Sequence, residues 1–86
     1  MGGCVRQDEI DYFGYDTGST STSNEAECIT ACGNSDVCSF WTFNRVNHRC
    51  MFKSSNADQR YESIAVSGSK ECAGILVSSP LCRPLQ

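Results

Sequence analysis

The sequence predicts a small α+β chain in which one short helix is stapled by disulfides to antiparallel strands. Three observations predict it. Seven cysteines in 86 residues reach the density, about 8%, at which disulfide scaffolds become the default. The stretch "NEAECITACGN" carries a helix start and a helix stop. The stretches "CSFWTFN" and "RCMFK" alternate like the two arms of a hairpin.

The length sets the terms. A single domain of this size gains little surplus stability from its core alone. Leucine occurs only at Leu76, Leu81 and Leu85, so the first 75 residues must build a core from aromatics, scattered Val and Ile, and cysteine. Cross-links make up the deficit, which implies an oxidising, secreted or cell-surface setting. No apolar run is long enough to span a bilayer, so membrane insertion is not expected. Residues 1–3 read as an added start; "MGGC" lacks the Ser or Thr that a myristoylation signal wants at position 6, where Arg6 stands.

Along the chain, "EIDYFGYD" reads as a first strand. The polar run "TGSTSTS" then leads into a helix over about residues 24–32. Asn24 followed by Glu27 is a capping-box-like start, with Thr22 and Glu25 as a shifted alternative. Gly33-Asn34 is the stop. Cys28 and Cys32, four apart, share a face. So short a helix needs tertiary anchoring.

If Asn44 to His48 form the hairpin loop, Phe43 sits opposite Arg49, Thr42 opposite Cys50 and Phe40 opposite Phe52. That register puts Cys38, Phe40, Thr42, Cys50 and Phe52 on one face. Trp41, Phe43, Arg49, Met51 and Lys53 take the other. "SSNADQR" reads as loop and "YESIAVSG" as a further strand. Residues 73–86, with two prolines, read as a linker or arm.

The cysteines fit neither zinc nor redox chemistry. Their spacings are not those of paired zinc ligands, His48 is the sole histidine, and Cys-x-x-Cys is absent. Disulfides remain. Six cysteines allow fifteen pairings, which reach narrows. Cys32 at the helix end can meet Cys38 at the strand start. Cys28, one turn earlier, can meet Cys50 on the neighbouring strand. Cys4 and Cys72 are left to clip the ends together, with Cys82 unpaired or bonded to another module.

The order of "EAECITAC", "CSFWTFN", "CMFKS" and "AVSGSKEC" resembles a PAN/apple domain over residues 4–72. The resemblance implies one short helix cradled by a curved antiparallel sheet, with the pairings Cys28–Cys50, Cys32–Cys38 and Cys4–Cys72. It also implies core roles for Trp41 and Phe43. The short connections are similar to the tandem apple modules of apicomplexan microneme adhesins.

Function classes follow by exclusion. A single histidine in a turn does not supply the oriented base of a hydrolytic triad, so no enzyme and no cofactor are expected. Net charge is −3, which argues against nucleic acid as partner. The charge is uneven: residues 1–44 hold seven acids against Arg6, and residues 45–86 hold six bases against three acids. Arg45, His48, Arg49, Lys53 and Arg60 lie within sixteen residues and form a candidate ligand patch for acidic glycans. By the resemblance, the expected role is an extracellular adhesion module contacting a host-surface or other extracellular protein and neighbouring modules. The alternative is a carbohydrate-binding module, lectin-like or glycosaminoglycan-binding. Secretion, with a microneme as one route, is the matching address.

Overall fold

The computed structural model describes residues 4–77. It contains β1 (Arg6–Tyr12), β2 (Asp16–Ser21), α1 (Glu25–Gly33), β3 (Phe40–Asn44), β4 (Arg49–Lys53), β5 (Gln59–Ser69) and α2 (Cys72–Val77). The strands form one antiparallel sheet in the order β1-β5-β3-β4-β2. The result is a compact α+β module.

Helix α1 begins where its cap dictates. The Asn24 side chain accepts from the Glu27 amide at 2.9 Å, and the Glu27 carboxylate accepts from the Ser23 amide at 2.8 Å. The first bond satisfies one of the amides that a helix start leaves without partners, and the second ties the residue before the cap back to the first turn. Cys28, Ile29 and Cys32 are its buried residues. They pack with Cys38, Trp41, Phe43, Cys50, Val66 and Cys72 into the core between helix and sheet. Three disulfides run through that core: Cys4–Cys72, Cys28–Cys50 and Cys32–Cys38, with sequence separations of 68, 22 and 6. Cys82 lies outside the described residues.

The hairpin register differs by one residue from the sequence reading. Phe43 pairs with Cys50, Thr42 with Met51, Trp41 with Phe52 and Phe40 with Lys53. The loop is residues 45–48. Asn44 holds it, its side chain accepting from the Val46 and Asn47 amides and its carbonyl from the His48 amide. His48 reverses the chain with a left-handed φ of 61°. One residue fewer in the loop moves a whole strand's side chains to the other face. Trp41 and Phe43 therefore share the helix face with Cys50 and Phe52, while Phe40 and Thr42 join Met51 and Lys53 on the opposite face.

Strand β2 takes the last residue of "EIDYFGYD" and most of the polar run "TGSTSTS", which was not expected to form a strand. Every one of its residues is exposed, so no alternation of apolar side chains marked it. At the other end, residues 73–77 of the expected arm belong to α2. Ala73 packs against the core, and a Cβ on Gly33 would stand 2.4 Å from its own. A bare glycine lets the two helices meet.

The sheet must curl. β1 and β2 are its two edges, and four strand spacings would separate the edges of a flat five-stranded sheet by about 19 Å. The step from Tyr12 to Asp16 reaches at most about 14 Å. Left-handed Gly14 and Tyr15 (φ 78° and 56°) tighten that link. At the other wall, the β1–β5 register jumps from Asp8↔Val66 to Ile10↔Tyr61 across left-handed Glu9. Bulges of this kind bend a strand. The first half of β5 and the end of β1 are thus carried over the face opposite the helix. There the Tyr12 amide donates to the Thr42 hydroxyl at 3.3 Å, and the Tyr12 ring meets Phe40 edge-on with centroids 5.8 Å apart.

Candidate functional site

The curled sheet encloses a groove of about 420 Å³ on its concave side. β4 contributes Arg49, Met51 and Lys53, β1 contributes Asp11, and β5 contributes Glu62, Ile64 and Ala65. Period-two alternation turns Arg49, Met51 and Lys53 to the same side. The floor is apolar and the walls carry both signs of charge.

Two of these charges cancel each other. Lys53 is buried, 4% exposed, and its ammonium pairs with Asp16 across β4 and β2. Arg49 donates to the Ser19 hydroxyl at 2.8 Å. On the opposite wall, burial pushes the Asp11 carboxyl above the usual aspartate range, and the nearby Glu62 and Asp16 push the same way, against the pull of Lys53. Among the described residues, Asp11 and Glu62 make no ion pair.

The five candidate patch residues are not gathered into one basic surface. Arg49 and Lys53 line the groove; Arg45, His48 and Arg60 do not. Lys53 lies with Arg49 and Met51 on the face away from Cys50, and there it is buried against Asp16. Arg45 pairs with Asp8, and that bond holds the Asp8 carboxyl below its ordinary value. Arg60 pairs with Asp58 at 2.9 Å and lies over the Phe13 ring, 3.7 Å from its centroid. His48 stacks on Phe43, with centroids 5.8 Å apart. Two of the four ion pairs among the described residues, Arg45–Asp8 and Lys53–Asp16, join the acid-rich first half to the base-rich second half, while Arg6–Glu25 and Arg60–Asp58 each lie within one half. Asp11, Glu62, Met51 and Ile64 were not singled out from the sequence. Their only signal there was the alternation in "EIDY", "YESI" and "RCMFK", which marks strands and not a groove.

Trp41 is fully buried and Phe43 is 4% exposed, so neither offers a ring for a sugar to stack on. Among the described residues no group of three or more His, Cys, Asp and Glu is placed to hold a metal ion. No helix among them is long and apolar enough to cross a membrane.

What fold and surface define together is a disulfide-stapled binding module. Its described cysteines are committed to cross-links, and its histidine is stacked on a phenylalanine. A family model described as the PAN domain matches residues 4–75, and the chain belongs to that family. PAN domains are generally non-catalytic modules that bind protein or carbohydrate, and their disulfides fit an extracellular location. No curated protein matches the chain.

Proposed function

We propose that the chain is an extracellular, non-enzymatic adhesion module whose ligand is a protein. In this reading it is one unit of a multi-module adhesin used in attachment to, or invasion of, a host cell. Charge pairing is the observation that carries the choice of protein over glycan. Arg45, Lys53 and Arg60 are each bound to a carboxylate, whereas a sulfated or sialylated glycan is held by cations free to bond it. The burial of Trp41 and Phe43 takes those two rings out of reach of a neutral sugar, which leaves the exposed rings of Phe13, Tyr15 and Tyr61. The tandem setting and a secretory-organelle route rest on the resemblance to microneme adhesins.

Carbohydrate binding is the second reading, and Arg49 favours it. Its guanidinium bonds a hydroxyl and not an acid.

The test is binding to cultured cells treated beforehand with protease, heparinase or sialidase. The protein reading expects protease alone to abolish binding. Loss after heparinase or sialidase, with weakening by salt and by Arg45→Ala/Arg49→Ala, would transfer the function to glycans.

A further inference from the structure

The concave groove has a chemistry that the family assignment does not supply. Its size lies within the range of about 300–1,000 Å³ typical of ligand sites. Its apolar floor, Met51 and Ile64, is only partly buried. Once Lys53 and Asp16 are set against each other, the remaining charges are segregated. Asp11 and Glu62 stand on the β1–β5 wall without an ion pair among the described residues. Arg49 stands on the β4 wall, bonded to a serine hydroxyl.

We infer that this groove is the docking site for a short extended protein segment carrying one basic and one acidic side chain, the basic one facing Asp11 and Glu62 and the acidic one facing Arg49. The inference rests on the protein-binding reading and names the partner's chemistry. Charge complementarity selects the occupant. A polyanion such as heparin would meet two carboxylates for each guanidinium, and a purely cationic segment would meet Arg49. A segment with both signs, two residues apart on one side of an extended chain, satisfies both walls, and its aliphatic stems cover Met51 and Ile64. Opposite charges on opposite walls also give the segment a single favoured direction.

The placement of Asp11 supports this. Asp11 is half-buried with Glu62 and Asp16 near it, and the pull of Lys53 and Arg60 offsets that cost only in part; local costs that the fold does not fully compensate mark functional positions. Burial and the neighbouring acids do raise its pKa, a penalty that an incoming ammonium or guanidinium would relieve.

The test is an NMR titration of the ¹⁵N-labelled chain with acetyl-Gly-Lys-Gly-Glu-Gly-amide. Peptides lacking the Lys, the Glu or both charges serve as controls, with heparin and sialyllactose run in parallel. The two-charge peptide is expected to shift the amides of Thr42, Met51, Ile64 and Ala65 more than either single-charge peptide. Asp11→Asn/Glu62→Gln should weaken the Lys-dependent part, and Arg49→Gln the Glu-dependent part, by up to about fivefold each, as for an exposed ion pair. Retained spectral dispersion shows that each variant is folded. Three results would overturn the inference: no groove shift at millimolar peptide, shifts indifferent to the charges, or stronger groove shifts from heparin or sialyllactose. Peptide-induced shifts confined to another surface would overturn the groove and leave the protein reading standing. Shifts from glycans alone would overturn both.

Discussion

Trp41 lies against Gly68 so closely that a Cβ at position 68 would stand 2.6 Å from Cζ2 of the indole. The Val5 carbonyl closes the space as well, at 2.4 Å, and the Trp41 Nε1 donates to the Ser69 carbonyl at 3.0 Å. The indole is the largest fully buried side chain, so it has nowhere to retreat. Gly68→Ala should therefore destabilise the module by about 1–3 kcal/mol through overpacking. Denaturant unfolding of oxidised protein measures it, and an unchanged midpoint would contradict the packing.

The cross-links are expected to decide whether the helix stays in place. Peptide mapping without reduction should recover Cys28–Cys50, Cys32–Cys38 and Cys4–Cys72. Cys28→Ala/Cys50→Ala should cost about 2–5 kcal/mol, because α1 spans 9 residues and cannot hold itself. Cys82→Ala should leave thermal stability unchanged. Equal losses in the two variants would count against the helix-to-hairpin staple.

Asn24→Ala removes the acceptor for the Glu27 amide and should cost about 1 kcal/mol, whereas Asn24→Asp should be nearly neutral. Thermal melts of the two variants against the parent distinguish a cap from a passive loop residue.

The pH dependence at Asp11 has a definite sign. Its folded-state pKa is raised, first by burial and then by Glu62 and Asp16, so the folded chain holds that proton to higher pH than the unfolded chain. Its contribution to stability falls as pH rises from the unfolded value, about 3.9, through the folded one. Asp11→Asn should accordingly melt higher than the parent at pH 7, and the gain should vanish at pH 3. Asp8 and Asp58 run the other way. Each is lowered by its hydrogen bond to an arginine, and what they contribute is lost as pH falls. Both are exposed, so surface screening keeps their part small. A gain for Asp11→Asn that persisted unchanged at pH 3 would rule out the electrostatic account.

Much of the helix was legible because its signals are local. The Asn24 and Glu27 pair sets the start, Gly33 sits at the stop, and Cys28 and Cys32 mark the buried face. The existence of the hairpin was equally legible from the alternation on either side of Asn44. Its register was not. Counting Asn44 into the loop seemed neutral in sequence, yet the Asn44 carbonyl and side chain close the turn from its first position, and that one residue moved Trp41 to the helix side. β2 carried no legible pattern, since a strand of Ser, Thr and Gly buries nothing to alternate.

By itself, then, the sequence determined the helix and its cap, the hairpin, the reliance on cystines and the kind of module these make. Each depends on neighbours within a few positions or on composition. Only the tertiary structure decided which acid meets which base and that a groove exists. Lys53 meets Asp16 because β4 pairs with β2, and Arg45 meets Asp8 because β5 joins β1 to β3, each pair 37 positions apart; the groove exists because a short link between the sheet's two edges curls it closed. That closure is a property of strand order, and strand order is set by the burial of Trp41, Phe43 and Val66 against the helix.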